Sequence, residues 1–487
     1  MTTMTFFDPA DWDSRAYVGG WIATDATADV VNPATGEVLG RVADCGAADV
    51  DRAARLAAQA QADWAGRPAE ERAAVLRRAA AVLEDRSDDL AGWLVREAGS
   101  GQGKAAFEVG LVTAELHLAA GTALVPYGQL LRSAQPRLSM VRRRPVGVVG
   151  VISPFNFPGI LAMRSVAPAL ALGNAVVLKP DPRTAVAGGL FLAAVLEEAG
   201  LPAGLLSVVP GGSSVGAALV EHEAVPVISF TGSTAAGRVV GERCGRLLKR
   251  AHLELGGNNA LVVLPGVDVA AAASAGAWGS FLHQGQICMT AGRHLVHADV
   301  HDEYVAALAE KAGGIPVGDP ATGTPLGPLI DAGQRDKVHA VVTDSVAAGA
   351  VLEAGGRYDG LCYQPTVLSG VAPAHRAWTE EIFGPVAPVL RFSSVDEAVE
   401  VVNSSEYGLS VGVLAPDTFA GYELADRLDA GIVHVNDQTV DDESVAPFGG
   451  TKASGTGSRF GGHEANVAAF TEEQWVTVQS RIQRYPF

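Results

Sequence analysis

The stretch VGVVGVI, at residues 146–152, combines β-branched residues with glycine and has no polar side chain. A helix-like segment follows at residues 159–172, and apolar runs continue to alternate with helices after it. The further runs are residues 175–178, 205–209 and 225–229, and the second helix is residues 184–199. Strands that are apolar throughout are buried on both faces, and a helix after each strand is typical of a parallel sheet. The stretch therefore predicts an α/β domain of the doubly wound, nucleotide-binding type.

The turn FTGST, at residues 230–234, lies between the last of these apolar runs and a helix that opens near Ala235. Free backbone N–H groups and the helix dipole at such a strand-to-helix turn favour a bound phosphate. Gly232 and Ser233 are therefore candidate cofactor-binding residues.

A second alternation of strands and helices begins beyond Leu264 and predicts a second α/β domain. Its predicted strands are residues 294–297, 387–392, 411–414 and 432–435, and its predicted helices are residues 300–311, 331–348, 395–403 and 417–428. After it, residues 470–487 alternate apolar and polar side chains, as an exposed strand does.

The N-terminal part predicts helices beside an edge hairpin. The turn signature NPATGE, at residues 32–37, predicts the hairpin. In residues 48–64 and 69–98 apolar side chains recur at three- and four-residue intervals, which predicts amphipathic helices. The turn GSGQGK, at residues 99–104, is not a phosphate loop, because Lys104 occupies the last glycine position of a dinucleotide motif and Ala105 stands where a P-loop needs Ser or Thr. We interpret it as a connection between helices.

Composition bounds the class of protein and its partners. The chain has 487 residues, 48% of them hydrophobic, and a formal net charge of −18, which argues against nucleic acid or an anionic membrane as a partner. The four cysteines have no disulfide or metal-ligand spacing, so no metal site is expected and a reducing cytoplasm is favoured. Residues 1–12 contain no apolar signal-peptide core. Residues 269–292 lack charge, but their small and polar residues predict a buried helix rather than a membrane span.

The stretch FLHQGQICMT, at residues 281–290, presents Cys288 on a short polar turn. A cysteine there is placed where a substrate could reach a thiolate nucleophile. A lone cysteine is also commonly a small buried hydrophobic residue. The nucleophile interpretation therefore depends on other motifs.

Three further motifs carry polar groups that suit a nucleophilic cysteine. In PFNFP, at residues 154–158, two prolines fix the backbone around Asn156, whose amide could donate a hydrogen bond to an oxyanion. In LELGGNN, at residues 253–259, Glu254 precedes a glycine pair that allows another group to approach closely. The motif EEIFGP, at residues 380–385, adds Glu381. Taken singly, each could be a turn cap or a solvated charge.

Together these motifs resemble the aldehyde dehydrogenase superfamily in order and spacing, and the resemblance covers nearly the whole chain. The interval from Glu254 to Cys288, 288 − 254 = 34 residues, matches the family pattern. The matching motifs are PFNFP, LKP at residues 178–180, FTGS, ELGGN, GQIC, EEIFGPV and PFGG at residues 447–450.

The resemblance implies an α/β, aldehyde dehydrogenase-like fold in three parts. Residues 1–125 and 146–257 would form a Rossmann-type dinucleotide-binding domain, and residues 258–469 a catalytic domain that carries the nucleophile. Residues 126–145 and 470–487 would form a small β extension for oligomerisation.

The resemblance also implies the chemistry. Cys288 would attack the aldehyde carbonyl to form a thiohemiacetal, while Asn156 and the Cys288 backbone N–H hold the oxyanion. Hydride transfer to the nicotinamide would leave a thioester, which Glu254 hydrolyses by activating a water molecule.

The same resemblance implies a set of cofactor-binding residues. Lys179 would bind the adenine-side ribose, and Ser233, beside Gly232, the pyrophosphate. Glu381 would bind the nicotinamide ribose, and Phe383 would pack against the cofactor.

Pro182 departs from the commoner family pattern. Many NAD-preferring relatives carry a glutamate there, three residues after the lysine, which accepts hydrogen bonds from the ribose and repels a 2′-phosphate. Asp181 could replace that carboxylate, or Arg183 could accept a 2′-phosphate. We therefore expect NAD as the cofactor, with NADP possible.

The variant KPDPRT, at residues 179–184, looks most like the benzaldehyde dehydrogenase branch, as do RRRPVGVV at residues 142–149 and the pair Asn258-Asn259. That branch implies an aromatic aldehyde as the substrate. Side chains that could line an apolar substrate tunnel are Phe157, Trp278, Ile287, Met289 and Phe448, although aromatic residues beside a motif are commonly core. Aliphatic aldehydes or semialdehydes remain alternative substrates.

Two further expectations concern a competing activity and the assembly. A thiol hydrolase or acyltransferase that uses Cys288 with His283 is the alternative enzyme class. Residues 137–144 and 475–479 look like strands with unpaired edges, which a protein normally pairs or covers. In the family the equivalent segments build the subunit interface, so we expect a homo-oligomer, either a dimer or a tetramer.

Overall fold

The computed structural model describes residues 7–487, and residues 1–6, part of the segment predicted to lack a signal peptide, lie outside the described residues. The N-terminal elements pack around the predicted hairpin, which is formed by β3 and β4. In chain order they are α1 (Pro9–Trp12), β1 (Arg15–Val18), β2 (Trp21–Ala23), β3 (Thr27–Val31), β4 (Val38–Ala43), α2 (Ala47–Gly66), α3 (Ala69–Asp85), α4 (Ser87–Ala98) and α5 (Gln102–Thr122).

The next part of the chain holds the predicted alternation of strands and helices. Its elements are β5 (Gly128–Leu130), β6 (Leu138–Pro145), β7 (Val148–Ile152), α6 (Pro158–Ala171), β8 (Ala175–Lys179), α7 (Phe191–Glu198), β9 (Leu206–Val208), α8 (Ser213–Glu221), β10 (Val227–Gly232), α9 (Thr234–Arg246) and β11 (Arg250–Leu255). Every residue of β7 and β8 is buried, as their apolar sequences predicted.

The first sheet has the strand order β11-β10-β7-β8-β9-β1-β2. The strands from β7 to β11 are parallel, while β1 pairs antiparallel with β9 and β2 with β1. The doubly wound, parallel sheet predicted from residues 146–152 is confirmed. Its carboxyl ends bring Ile152, Lys179, Gly232 and Leu255 to one edge.

The remaining elements form the second α/β unit. They are β12 (Asn259–Val263), α10 (Val269–Phe281), β13 (Ala291–His297), α11 (His301–Gly314), α12 (Ala332–Ala347), β14 (Val351–Ala354), β15 (Tyr358–Asp359), β16 (Cys362–Tyr363), β17 (Thr366–Ser369), α13 (Arg376–Thr379), β18 (Val386–Phe392), α14 (Val395–Asn403), β19 (Tyr407–Gly408), β20 (Ser410–Leu414), α15 (Thr418–Ala425), β21 (Ile432–Val435), β22 (Thr451–Lys452), α16 (Gly462–Phe470) and β23 (Thr471–Val478).

The second sheet has the order β14-β17-β18-β13-β12-β20-β21, and only β14 runs antiparallel to its neighbour. Successive residues of β12 point to opposite faces. Ala260 and Val262 join one hydrophobic cluster, and Leu261 and Val263 join another. This strand is therefore apolar throughout because both of its faces are core.

Two predicted helices are divided in the structure. Arg86 leaves helical geometry between α3 and α4, so residues 69–98 form two helices. Residues 184–199 were expected to form one helix, but a 3₁₀ turn (Pro182–Thr184) and a π turn (Val186–Leu190) precede α7. The buried Glu97 carboxylate accepts hydrogen bonds from the Val186 and Ala187 amides at 2.9 and 2.7 Å, a long-range contact that holds the chain in this path.

A third, antiparallel sheet corrects the prediction of unpaired strands. Its order is β23-β6-β5, so β6 is paired on both sides and residues 137–144 have no free strand edge. The partner of β6 lies more than 300 residues along the chain, which is why local patterning could not reveal it. The outer edges of β23 and β5 have no strand partner among residues 7–487.

Within residues 7–487, no helix is both long enough and apolar enough to cross a membrane. The uncharged segment after residue 269 forms α10, which leads into the turn before Cys288.

Candidate active site

A cleft of about 790 Å³ opens at the carboxyl ends of the first sheet. Loops after β7 and β8 form one wall, and the start of α9 forms the floor. Residues of the second unit close the other side, among them Cys288, Glu381 and Phe383. Ligands of open parallel sheets bind at this edge, outside the carboxyl ends of the strands.

The loop before Cys288 is tightly wound. His283 and Gln284 have φ of 48° and 56°, and Gly285 continues in the left-handed region with φ of 65°. A Cβ on Gly285 would overlap the Gly384 carbonyl, so only glycine fits the loop there. The path places the half-buried Cys288 at the mouth of the cleft.

Asn259, at the start of β12, holds the cysteine loop from behind. Its Nδ2 donates to the carbonyl oxygens of Cys288, at 2.7 Å, and Thr290, at 2.8 Å, while its Oδ1 accepts from the Ser410 amide at 3.0 Å. The sequence analysis used this asparagine only as part of a motif. Its signal was a buried polar side chain directly before an apolar strand.

Asn156 lies on the loop between β7 and α6 and is 3% exposed. Its side chain lines the cleft together with Cys288 and makes no hydrogen bond to the residues described. Its amide is therefore free to donate to a ligand atom. Lys104 holds its backbone, since the ammonium donates to the Asn156 carbonyl at 2.7 Å.

Glu254 is the penultimate residue of β11 and is 3% exposed. Neither of its carboxyl oxygens has a hydrogen-bond partner within residues 7–487. Burial raises the pKa of Glu254 well above its usual range, against the opposing charges of Arg164 and Arg459. A buried carboxyl of this kind is suited to taking up a proton near neutral pH.

The Cys288 thiol is held in its neutral form. Burial is the main cause that raises its pKa to about 12, with the nearby Glu381 carboxylate second and Arg164 opposing. Burial likewise raises the pKa of Glu381 to about 7, although the Gly257 amide donates to its Oε1 at 3.0 Å. A Cβ on Gly256 would overlap this carboxylate, which explains one of the paired glycines.

Lys179, Gly232 and Ser233 all line the cleft. Lys179 ends β8 and is 8% exposed. Gly232 ends β10, and Ser233 is the N-cap of α9, where its Oγ accepts from the Ala236 amide at 3.3 Å. The helix therefore directs its free N-terminal amides to the cleft, close to the expected start at Ala235.

Pro182 begins the 3₁₀ turn on the same wall, and the charges beside it are paired. Arg183 contacts both Asp181 oxygens at 2.9 and 2.8 Å and Asp331 at 2.7 Å, and it lies 4.2 Å from the centroid of the Phe155 ring. Asp181 and Arg183 therefore neutralise each other, and neither is an unpaired charge available to the ribose.

Phe383 lines the cleft in the left-handed region, with φ of 57°. Its ring meets Phe155 edge to face, with 5.9 Å between centroids. Gln334 of α12 fixes this backbone, because its Nε2 donates to the Phe383 carbonyl at 2.7 Å. The sequence analysis missed Phe155 and Gln334, since each lay in a segment assigned only as loop or helix.

A second, small cavity of about 30 Å³ lies on the far side of Cys288. Asn156, Leu161 and Cys288 line both cavities. The four residues expected to line a substrate tunnel all line this one. They are Phe157, Ile287, Met289 and Phe448.

Two charged side chains of this pocket were missed. Arg164 of α6 forms an ion pair with Asp442 and lies 4.4 Å from the centroid of the Phe448 ring. Their side chains are only 7% and 12% exposed. A lone arginine in an otherwise apolar helix was the signal for a polar group in the pocket.

Trp278 does not belong to the pocket, so that expectation was wrong. It lies on the outer face of α10 and is 55% exposed. Ala277 and Gly279 on either side of it are buried, because successive residues of a helix point in different directions.

His283 does not form a dyad with Cys288. Its ring packs on Phe157 with 5.7 Å between centroids, and it makes no hydrogen bond to the thiol. Burial and the charge of Lys104 hold the pKa of His283 well below its usual range. Among the residues described, no group of three or more His, Cys, Asp or Glu side chains is arranged to hold a metal ion.

Comparison with known proteins gives consistent matches over the whole chain. The model of the aldehyde dehydrogenase family matches residues 21–476. A vanillin dehydrogenase of Amycolatopsis sp. is 58% identical over 486 residues, covering 99% of this chain and 100% of the relative. A benzaldehyde dehydrogenase [NAD(+)] of Pseudomonas putida is 48% identical over 479 residues, covering 98% of each.

Among solved structures, a salicylaldehyde dehydrogenase from Pseudomonas putida G7, complexed with salicylaldehyde, superposes with a TM-score of 0.94 at 33% identity. The match covers 98% of this chain and 100% of that one.

Proposed function

Because the chain belongs to the aldehyde dehydrogenase family, we propose that it oxidises an aromatic aldehyde to the carboxylic acid with a nicotinamide dinucleotide, through an acyl group carried on Cys288. The observation that carries the proposal is the position of Cys288, which lines both the large cleft and the apolar pocket. A thiol there reaches an aldehyde in the pocket and a cofactor in the cleft.

In the first half of the reaction, the Cys288 sulfur forms a bond to the aldehyde carbon, and the carbonyl oxygen becomes an oxyanion. Asn156 is placed to donate its free amide to this oxygen, together with the Cys288 backbone N–H. When bound, the nicotinamide supplies the acceptor for the hydride that the adduct on Cys288 loses.

In the second half, the resulting thioester is hydrolysed. Glu254 takes a proton from a water molecule whose oxygen bonds to the thioester carbon. The carbon–sulfur bond breaks, the acid leaves and Cys288 recovers its proton. The raised pKa of Glu254 makes its carboxylate an effective proton acceptor near neutral pH.

The residues of the cleft fit a dinucleotide. The α9 N-terminus, with Gly232 and Ser233, offers amide donors for a pyrophosphate. The Lys179 ammonium and the Glu381 carboxylate offer a donor and an acceptor for ribose hydroxyls, and Phe383 offers an aromatic face. We propose NAD as the cofactor, in line with the benzaldehyde dehydrogenase [NAD(+)] that the chain resembles, with NADP as a weaker substitute.

The pocket favours a ring with a neutral polar substituent. Phe157 and Phe448 give aromatic walls, while the paired Arg164 and Asp442 offer a donor and an acceptor without net charge. A phenolic hydroxyl can use both, whereas a carboxylate on the substrate would meet Asp442. The relatives named for vanillin and salicylaldehyde support hydroxylated benzaldehydes as the substrate class.

We also propose that the protein is a homo-oligomer assembled through the third sheet. The outer edges of β23 and β5 are free, and large apolar side chains are exposed there. Trp475 is 64% exposed and Leu130 77%. Free edges and exposed apolar surface are features of subunit interfaces.

A panel of aromatic, aliphatic and acidic aldehydes, each tested with NAD and NADP, tests the activity through the absorbance of the reduced cofactor. We expect aromatic aldehydes with NAD to give the highest kcat/KM, and Cys288→Ala to abolish it. Hydrolysis of p-nitrophenyl esters without any aldehyde-dependent reduction of cofactor would instead support a thiol hydrolase.

A further inference from the structure

A buried ion pair lies beneath the loop that carries Asn156. Lys104 and Glu108 are one turn apart on α5, their side chains are 1% and 0% exposed, and Lys104 Nζ lies 2.5 Å from Glu108 Oε2. Burying two charges is seldom more stabilising than packing apolar side chains in the same space. A role beyond stability is therefore worth seeking for this pair.

All three donors of the Lys104 ammonium are used. Nζ donates to Ser100 Oγ at 3.1 Å, to Glu108 Oε2 at 2.5 Å and to the Asn156 carbonyl oxygen at 2.7 Å. An ammonium group has three donors, so its orientation is fully determined. The third bond ties the backbone of Asn156 to α5.

The second oxygen of Glu108 holds the other end of the same loop. Oε1 accepts from the Gly159 amide at 2.7 Å and from the Ile160 amide at 3.3 Å. These amides belong to the first turn of α6, whose N-cap, Phe157, supplies no side-chain cap. Glu108 therefore acts as the missing cap, and its charge suits the positive end of the helix.

The turn before α5 also contacts the cysteine loop. Gln284 Nε2 donates to the Gly99 carbonyl at 3.1 Å. Lys104 Nζ lies 4.1 Å from the centroid of the Phe157 ring, which in turn packs on His283. The segment at residues 99–104, interpreted from sequence as a simple connection, thus joins the two loops that meet at the reacting atoms.

We propose that Lys104, held in place by Glu108, is a positioning residue that directs the Asn156 amide at the oxyanion. The inference rests on the oxyanion role of Asn156 in the proposed function. A single oxyanion donor is worth about 10²–10³ in kcat, and displacing a catalytic group by about 1 Å can lose much of that. Fixing both sides of Asn156 through a pair on another helix meets this demand.

The test uses the double variant Lys104→Met/Glu108→Gln. Methionine fills the space of the lysine stem, and glutamine keeps an oxygen for the Gly159 and Ile160 amides, so no unpaired charge is buried. The bond to the Asn156 carbonyl is lost. Lys249→Met is the matched control, because Lys249 also donates to two backbone carbonyls, of Val220 and His222, but at the opposite edge of the sheet.

We expect the double variant to lose about 10- to 100-fold in kcat/KM for benzaldehyde, while KM for NAD changes by less than about twofold. Alkylation of Cys288 by iodoacetamide needs no oxyanion and should proceed at the wild-type rate. In an Asn156→Ala background the same double substitution should change kcat/KM by less than about twofold, because the group it positions is gone. Lys249→Met should keep the wild-type kcat/KM.

Three results would overturn the inference. The first is a folded double variant, by thermal unfolding, with wild-type kcat/KM. The second is a loss of the same size in the Asn156→Ala background, which would mean that Lys104 acts by another route. The third is full activity of Asn156→Ala alone, which would remove the oxyanion role and the inference with it, whereas failure of the wild type to reduce cofactor with any aldehyde would refute the proposed function as a whole.

Discussion

At the scale of single residues, the electrostatics of Cys288 oppose its ionisation. The thiol is buried beside the carboxyl of Glu381, and both effects raise its pKa. The neutral thiol is a poor nucleophile, so the resting site restrains its own reactivity until the surroundings of the sulfur change. Glu254 is also held protonated by burial, so both groups gain reactivity as the pH rises.

Removing the like charge should therefore activate the thiol. Glu381→Gln is expected to lower the pKa of Cys288 and to increase the rate of alkylation by iodoacetamide at pH 8, where the carboxyl of Glu381, with a pKa of about 7, is largely ionised. In the wild type the rate should rise by up to about tenfold per pH unit between pH 7 and 9, as the thiolate fraction grows. A slower reaction in Glu381→Gln would show that the sign is wrong.

The nucleophile and the base should separate kinetically. Because the thioester forms before it is hydrolysed, Cys288→Ala should abolish dehydrogenase activity, whereas Glu254→Gln should still produce about one equivalent of reduced cofactor per site. Steady-state turnover of Glu254→Gln should fall by about 10²–10⁴, the usual contribution of a general base. Rapid mixing measures both phases, and appreciable turnover of Cys288→Ala would contradict the covalent mechanism.

The charged pair in the pocket should control the preference for ring hydroxyls. The double variant Arg164→Met/Asp442→Leu removes both charges together and leaves no unpaired ion. We expect the ratio of kcat/KM for 4-hydroxybenzaldehyde to that for benzaldehyde to fall by about tenfold, since one hydrogen bond is worth about 1.4 kcal/mol. An unchanged ratio, with benzaldehyde still oxidised, would show that the pair does not recognise the substituent.

At the scale of elements, the 3₁₀ turn Pro182–Thr184 governs the adenosine end of the cleft. Proline at its first position fits the fixed φ of that residue, and Asp181 caps the turn by accepting from the Arg183 amide at 3.0 Å. Because Asp181 and Arg183 are paired with each other, the turn presents little net charge to a ribose or to a 2′-phosphate.

Adding a carboxylate to this turn should shift the choice of cofactor. Pro182→Glu is expected to depress kcat/KM with NADP more than with NAD, by about one to two orders of magnitude if a desolvated like-charge contact costs about 1.4–2.8 kcal/mol. The substitution also frees a backbone N–H, so both activities can fall for structural reasons. The ratio of the two kcat/KM values is therefore the quantity to measure, with Pro182→Ala as the control for the loss of proline.

At the scale of the whole molecule, the third sheet stands apart from the two large ones. Eight residues of β23 pair with β6, and this pairing brings the C-terminal part of the chain back to a segment near residue 140. The outer edge of β23 then remains open, with Trp475 exposed beside it.

Sedimentation should therefore show at least a dimer at micromolar concentration. The substitution Val476→Pro on β23 would remove a backbone donor and weaken strand pairing. We expect this variant to dissociate to a smaller species, with Val435→Ala, on a strand of the second sheet, as a control that keeps the mass. A wild-type mass equal to one chain would contradict the proposed assembly.

Local patterning alone determined much of this protein. The apolar runs at residues 146–152 and 411–414 indicated parallel strands buried on both faces, because a strand that is core on both sides cannot alternate. The motifs around Asn156, Glu254 and Cys288 indicated the chemistry, because glycine and proline are needed where a backbone turns tightly beside a reacting group.

Only the tertiary structure decided which distant residues meet. The bond from Lys104 to the Asn156 carbonyl, the Arg164–Asp442 pair in the pocket and the pairing of β6 with β23 each join segments 52, 278 and more than 300 residues apart. Periodicity and turn signals describe a few neighbouring residues, whereas such contacts depend on how complete elements pack. For the same reason the outward direction of Trp278 and the divided helix at residues 184–199 were visible only once the elements were assembled.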